Sequence, residues 1–289
     1  MGDHVHFVGP GRMGLGLGYA LWQADAVESL AYFGRRPEPP THPLFTQSVA
    51  EYSFGLDGVH LHPTILILSV PDDALAGVAG LVAAQGLAPE RCVALHLSGA
   101  LSTEVLAPLH ARGYAVGSLH PLQTVANAIT GADRLPGSYF SVAGERGAVA
   151  AARRLLGALG SPTITVSERA RPVYHAAAVM ASGYLVTLLA AAGRLLVQAG
   201  IPEDEALPAL LPLARGTLSA LEESELSRAI TGPMVRGDVE TVGLHMRSLE
   251  PRERTLYAAL GMELTHLIEG TGFETAALSE IRALMENEA

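Results

Sequence analysis

A mostly parallel α/β domain followed by an all-α domain is predicted by two features of the 289-residue sequence. Short apolar strand patterns alternate with helical patterns up to about residue 167, and strand patterns then stop. Alternating strands and helices are typical of a parallel sheet with right-handed crossover connections. Because the length also favours two cores over one, we predict an α/β domain over residues 1–167 and a helical domain over 168–289.

The clearest strand pattern lies at residues 64–70, where four consecutive aliphatic residues indicate a parallel strand buried on both faces. Further strands are predicted at 4–8, 29–33, 93–97, 114–118, 139–143 and 163–166. Helices are predicted between them at 13–24, 72–85, 103–111 and 146–159. In the second domain, breaking and capping residues separate helices predicted at 172–199, 203–221, 239–247 and 251–270.

One helical segment, 176–193, is uncharged and long enough to cross a bilayer. A helix that is apolar on all sides is also expected at the centre of a helical domain or of a dimer. We favour the buried helix and keep the membrane span as the alternative.

Composition excludes several classes of function. The formal net charge of −10 argues against nucleic-acid and anionic-membrane partners, which favour clustered basic residues. A single cysteine, Cys92, excludes a disulfide framework and indicates a reducing compartment, and with no secretory signal pattern we expect a cytoplasmic protein. The sequence contains no lysine, so proton chemistry falls to His, Asp, Glu, Tyr or Cys.

A glycine-rich turn follows the first predicted strand and has the sequence Gly9-Pro10-Gly11-Arg12-Met13-Gly14. Glycine at these three positions permits a tight turn, close approach of a pyrophosphate to the backbone, and close packing of helix on strand. The turn lies between an apolar strand and a helix, as a Rossmann dinucleotide site requires. All six residues are therefore predicted to bind a dinucleotide.

The end of the second predicted strand indicates which dinucleotide binds. NAD sites commonly place an acidic residue there to bind the ribose 2′-hydroxyl. This sequence has Arg35 and Arg36 instead, and arginine is suited to a phosphate by charge and by geometry. We therefore predict NADP, as NADPH, bound through both arginines; a solvated arginine pair is the less favoured alternative.

Ligands in this fold bind beyond the carboxyl ends of the strands. Two segments at such ends are predicted to line the nicotinamide half of the site, Ser69-Val70-Pro71 and Ser98-Gly99. Ser98 is also a candidate for catalysis, although a serine there serves equally well as a helix cap.

Two histidines are candidates for moving a proton, since imidazole exchanges protons near neutral pH. His120 follows a strand at the predicted ligand edge, and His175 begins the long apolar helix. For each, a structural histidine bonded within the protein is the alternative. Gln123 is predicted to orient substrate or to stabilise a turn. We predict no metal site, because the pairs His4/His6 and His60/His62 lack further ligands.

Four sequence blocks resemble an uncharacterised oxidoreductase family that pairs a Rossmann-like domain with a helical domain of unknown function. These are His-Leu-Ser-Gly at 96–99, Ser-Leu-His-Pro-Leu-Gln at 118–123, Tyr-His-Ala-Ala-Ala at 174–178 and Thr-Gly-Pro at 231–233. Together with Leu-Ser-Val-Pro-Asp-Asp at 68–73, they place the chain near the superfamily of 6-phosphogluconate dehydrogenase, pyrroline-5-carboxylate reductase and prephenate dehydrogenase. The resemblance implies NADP binding and a homodimer formed through the helical domain, but names no substrate.

From the sequence we therefore expect an NADP(H)-dependent oxidoreductase acting on a small carbonyl, hydroxy-acid or imine substrate. The alternative is a non-catalytic NADP(H)-binding protein that acts as a sensor or assembly partner. Only the first requires the histidines.

Overall fold

The computed structural model describes residues 2–268 and 276–286. Its first compact unit is built on one eight-stranded sheet with the strand order β3-β2-β1-β4-β5-β6-β7-β8. The strands are β1 (His4–Val8), β2 (Ser29–Gly34), β3 (Ala50–Phe54), β4 (Ile65–Leu68), β5 (Val93–His96), β6 (Ala115–Pro121), β7 (Phe140–Gly144) and β8 (Thr163–Ile164). The first six strands follow the order of a doubly wound dinucleotide-binding sheet, which confirms the predicted fold class.

The sheet has helices on both faces. They are α1 (Arg12–Gln23), α2 (Pro43–Thr46), α3 (Asp72–Gln85), a 3₁₀ turn (Thr103–Leu106) continued by α4 (Ala107–His110), α5 (Ala128–Ala132) and α6 (Arg146–Ala158). Strand β4 shows why the core has two layers. Ile65 and Ile67 pack in the cluster on one face, and Leu66 and Leu68 pack in the cluster on the other. All four are fully buried, as the continuous apolar run predicted.

Two features of the sheet differ from the sequence-based expectation. Strand β3 lies at the edge beside β2, and its residues are half-buried or exposed, so it lacks the apolar run that marked the other strands. Strand β7 runs antiparallel to β6, whereas the other paired strands are parallel.

The second compact unit is helical. It contains α8 (Leu185–Gln198), α9 (Glu203–Glu223), α10 (Leu226–Ala229), α11 (Val239–Ser248), α12 (Pro251–Ile268) and α13 (Ala276–Glu286). A small core joins α11 and α13 to α12 through residues that include Met234, Val242, Ala258 and Ile281. Arg194 on α8 forms an ion pair with Glu253 on α12, with 3.2 Å between Nη2 and Oε1.

The two units divide between Ser182 and Gly183, later than the boundary predicted after residue 167. The difference arises from α7 (Arg171–Val179), which follows a 3₁₀ turn (Glu168–Ala170) and precedes a π-helical turn (Met180–Tyr184). Side chains of α7 bond to strand residues of the first unit, so this helix belongs with the sheet.

The long apolar helical stretch differs from its predicted burial. Within the described residues, Glu168–Gln198 is long and apolar enough to span a membrane by length and composition, and 11% of its most apolar window is buried. One chain by itself therefore does not bury this helix, and of the two settings expected for it, the centre of a dimer stays a prediction. Val186 on α8, for example, is 68% exposed.

Candidate cofactor and active site

The glycine-rich turn between β1 and α1 has the geometry of a dinucleotide loop. Gly9 adopts a φ of +99°, which disfavours any residue with a side chain. A Cβ on Gly14 would lie 2.9 Å from the Gly9 carbonyl oxygen, so only glycine allows α1 to approach the loop this closely. Gly11 is exposed, and the nearest heavy atom to an added Cβ would be the Ser69 carbonyl oxygen at 3.8 Å, which leaves this face open to a ligand.

The N-terminus of α1 suits a pyrophosphate. Gly11 caps the helix without a side-chain hydrogen bond, and the first turn contains no acidic residue. The first amides of a helix point outward and attract anions. Pro10, Arg12 and Met13 complete the loop, and the Arg12 side chain is exposed.

Ser69 holds this loop in place from the end of β4. Its Oγ donates to the Gly9 carbonyl at 2.6 Å, while Val70 Cγ1 would lie 2.7 Å from a Cβ on Gly9. Pro71 then caps α3. Ser69 therefore contributes to the loop from the protein side, through the Gly9 carbonyl, rather than by pointing toward a ligand.

Arg35 and Arg36 follow β2 directly, and both are exposed. Among the described residues, no ion pair involves either guanidinium. The Tyr52 hydroxyl donates to the Arg36 carbonyl at 2.5 Å, which fixes the backbone here. Two positive charges without acidic partners, on a fixed turn beside the glycine loop, fit a 2′-phosphate.

Ser98 lies beyond the end of β5 and is engaged within the protein. Its Oγ donates to Asp72 Oδ2 at 2.8 Å and accepts from the amides of Ala100 and Leu101. These bonds are those of a capping serine, the alternative raised for this position. These bonds give the Ser98 hydroxyl a structural role at the edge of the sheet where ligands bind in this fold.

His120, near the end of β6, is the centre of a group of polar side chains. Its Nδ1 lies 2.8 Å from the Tyr174 hydroxyl on α7. The His175 ring centroid is 5.9 Å from that of His120, with the rings nearly perpendicular. A Cβ on Gly99 would lie 2.7 Å from both His120 Nε2 and His175 Cδ2. The two predicted histidines and Gly99 thus meet at one point.

Arg171, at the start of α7, is fully buried beneath this group. Its Nη1 donates to Ser118 Oγ at 2.8 Å, and its Nη2 donates to the Ser98 carbonyl at 2.5 Å. Its Nε has no hydrogen-bond partner within the described part of the chain. Because burying a charge is costly, these bonds tie α7 firmly to β5 and β6.

Burial and nearby positive charge change the ionisation of the histidines. Burial, His175 and Arg171 together lower the pKa of His120 to about 4. Burial and Arg171 lower the pKa of His96, at the end of β5, to about 3. Burial raises the pKa of Tyr174. His120 is therefore neutral near pH 7, and its role is that of a neutral imidazole rather than of an imidazolium.

Gln123 lies outside this group. Its Nε2 donates to Ser138 Oγ at 3.1 Å and its Oε1 accepts from the Thr124 amide at 2.8 Å, as in the turn-stabilising alternative. His4 and His6 bond to Ser29 and to the Val59 carbonyl respectively. Over residues 2–268 and 276–286, no group of three or more His, Cys, Asp or Glu could hold a metal ion.

Two residues of the site were missed by sequence reasoning. Tyr174 stands beside His175 in the Tyr-His block, so its position was available as a signal. No sequence signal indicated Arg171, because a single arginine before an apolar helix is ordinarily a solvent-exposed residue at the helix end.

Comparisons with known proteins agree with this architecture. Residues 3–121 match the model of the Rossmann-like domain, and residues 138–264 match that of the domain of unknown function DUF2520. Each model covers less than half of the chain. The two matches agree with the predicted pairing of a Rossmann-like domain with a helical domain of unknown function. The comparison with curated proteins gives no match.

Several solved structures share the fold. A protein from Bacteroides fragilis, named as a candidate NADP oxidoreductase, is 22% identical, with a TM-score of 0.70 over 90% of this chain and 96% of that one. Pyrroline carboxylate reductase from Plasmodium falciparum, solved with NADP bound, is 14% identical, with a TM-score of 0.62 over 99% and 97%. A reductive aminase from Aspergillus terreus is 17% identical, with a TM-score of 0.61 over 99% of each chain.

We predict that Gly99→Ala displaces both histidines, because the added methyl carbon would lie 2.7 Å from each ring, closer than van der Waals contact allows. Histidine ring signals in NMR spectra should shift for His120 and His175. The control is Gly80→Ala on α3, where an added Cβ meets nothing within 4 Å and the exposed helix gains about 1 kcal/mol of propensity. Unchanged ring signals in Gly99→Ala would contradict the geometry described for this point.

Proposed function

We propose that the chain is an NADP(H)-dependent oxidoreductase that acts on a small carbonyl, hydroxy-acid or imine substrate. One observation carries the proposal: the glycine loop and the histidine group lie at the same edge of one sheet. Strands β1, β4, β5 and β6 are mutually parallel neighbours, so Gly9, Ser69, Ser98 and His120 follow or end strands on a single side. Solved structures of the same fold that are named as NADP oxidoreductases or reductases support this assignment.

Different residues of the chain bind the dinucleotide and act on the substrate. The α1 amides and the glycine loop bind the pyrophosphate, and Arg35 and Arg36 bind the 2′-phosphate. When bound, the dinucleotide supplies or accepts hydride at its nicotinamide ring. His120 exchanges a proton with the substrate heteroatom at Nε2, the nitrogen that faces Gly99. Tyr174 positions the ring through Nδ1.

The preference for NADPH is tested with Arg35→Ala, Arg36→Ala and the double variant. Each lost guanidinium removes a charge-assisted contact to the phosphate, so we expect NADPH affinity to fall about tenfold per arginine while NADH affinity changes little. Fluorescence titration of both dinucleotides measures this. The control is Arg91→Ala, an exposed arginine paired with Glu90. Equal affinity of the parent protein for NADPH and NADH would contradict the assignment.

The role of His120 is tested with His120→Ala. We expect kcat/KM to fall by about a hundredfold or more, the usual contribution of general acid–base catalysis, while NADPH affinity stays within about twofold. In the parent, His120 stays neutral above about pH 5, so its contribution to kcat should be constant from there to pH 8 and should change as pH falls toward its pKa. His110→Ala, at an exposed histidine that pairs with Glu145, is the control.

Tyr174→Phe, measured in the same kinetic assay, tests whether Tyr174 positions the His120 ring or only supports folding. It removes one hydroxyl and keeps the ring, so we expect a smaller loss, confined to kcat, with a changed pH profile. An unchanged rate in His120→Ala would remove His120 from the mechanism.

We further propose that the chain forms a homodimer through its helical unit. Val186 on α8 is 68% exposed and Leu213 on α9 is 69% exposed, and both helices carry further exposed apolar residues. Apolar faces of this kind are covered in stable proteins, and homodimer interfaces are apolar. With a net charge of −10, the chain lacks the basic residues that would draw it to an anionic bilayer.

The homodimer is tested by analytical ultracentrifugation of the parent without detergent, where twice the chain mass is expected. Val186→Glu places a charge on the apolar face and should shift the population toward single chains. Leu81→Glu, on α3 of the first unit at a leucine that is 59% exposed, is the control and should leave the mass unchanged. A parent protein that sediments as a single chain would contradict the proposal.

A further inference from the structure

The charges around His120 restrict the kind of double bond that the site can reduce. Arg171, on the helix that carries Tyr174 and His175, is fully buried and bonded only to neutral oxygens, those of Ser118 and Ser98. Its positive charge acts in a low-dielectric interior, where it is weakly screened. Two acidic side chains attract it, Glu168 and Asp72, but both are exposed and bonded elsewhere. Arg171 also lowers the pKa of His120, so its positive charge acts on that ring.

The residues that face His120 add no negative charge. Tyr174 on α7 is a phenol whose pKa is raised by burial, and His175 is an imidazole. Burial comes first, and His175 and Arg171 then both lower the pKa of His120, so both disfavour a positive charge on that ring. A cationic group bound at this point would meet the same repulsion.

Hydrogen bonding leads to the same conclusion. The half-buried Tyr174 hydroxyl is 2.8 Å from His120 Nδ1, and because burial raises the pKa of Tyr174, the phenol keeps the proton that it can donate. When Tyr174 donates to Nδ1, the neutral ring carries its proton on Nε2, beside Gly99. An N–H donor at that place matches an oxygen acceptor, whereas a protonated imine presents another N–H.

We infer that the substrate of this site is a carbonyl compound, neutral or anionic, and not an iminium cation. The inference rests on the proposed oxidoreductase function. In the reduction, hydride from the reduced nicotinamide dinucleotide brings two electrons to the carbonyl carbon, and the C=O π pair moves to oxygen. The oxygen takes the Nε2 proton of His120. As Nε2 loses its proton, Tyr174 gives its hydroxyl proton to Nδ1; Nδ1 then returns that proton to the phenolate and water reprotonates Nε2, which leaves hydroxide and restores the starting tautomer. Arg171 stabilises the negative charge that develops on oxygen and phenol.

The first measurement compares matched ring compounds with the NADPH-loaded protein: cyclopentanone against 1-pyrroline, and cyclohexanone against 1-piperideine. We expect the ketone of each pair to be favoured in kcat/KM by about tenfold or more, because the imines are protonated near neutral pH. Preference for the imines would overturn the inference.

The second measurement needs no turnover. Cyclopentanecarboxylate and cyclopentylammonium are titrated against the NADP-loaded protein, and binding is followed by the change in protein fluorescence. We expect the anion to bind about tenfold more tightly than the cation. Tighter binding of the cation would overturn the inference even if no substrate is turned over. Tight NADPH binding without turnover of any compound would instead contradict the proposed function.

Arg171→Met identifies the source of the preference, since it removes the charge and keeps an unbranched side chain. The ratio of anion to cation affinity should fall toward one. Arg169→Met, at an exposed arginine two residues earlier, is the control and should keep the parent ratio. If Arg171→Met does not fold, the parent ratio decides alone. A folded Arg171→Met with the parent ratio would show that Arg171 is not the source and would overturn the electrostatic argument.

Discussion

The burial of one guanidinium determines where the polar residues of this site lie. Arg171 is inaccessible to solvent and satisfies its charge with a carbonyl beyond β5 and a hydroxyl on β6. A buried charge without bonds would be costly, so α7 cannot move away from these strands without exposing or orphaning it. Tyr174 and His175 follow on the next turn of the same helix and are thereby held beside His120.

The glycine loop depends on a separate set of contacts, made from the two strands on either side of β1. Ser69 donates to the Gly9 carbonyl, and the buried Tyr32 hydroxyl on β2 donates to the Gly14 carbonyl at 3.0 Å. Both bonds engage carbonyls. The Gly9 and Gly11 amides donate to the Phe33 and Gly9 carbonyls, and the first amides of α1 point outward for an anion. Two side chains from neighbouring strands thus fix the loop without occupying its donors.

Much of the first unit could be predicted from sequence because buried parallel strands have continuous apolar runs. Seven of the eight strands were predicted, most clearly β4 with its continuous run, and α3 was predicted with its observed bounds. Strand β3 lacked the pattern because it lies at an edge and stays partly exposed. The second helix of the final pair, α13, follows residues outside the described range and was not predicted. Arg171 was missed because its burial depends on strand residues more than fifty positions earlier, which no local pattern records.

The apolar helical segment 176–193 also shows what a local sequence pattern leaves undetermined. Length and composition predicted correctly that 176–193 is helical and apolar, and the apolar character suggested burial. Within one chain the helix is largely exposed. Its apolar sequence indicates that the helix must be covered but does not indicate by which surface. The hydrophobicity of a sequence indicates how much apolar surface must be removed from water. Which surface covers it depends on contacts that can come from another copy of the chain. The same reasoning applies to Arg171, whose charge is a property of one residue but whose effect on His120 exists only once helix and strands have met.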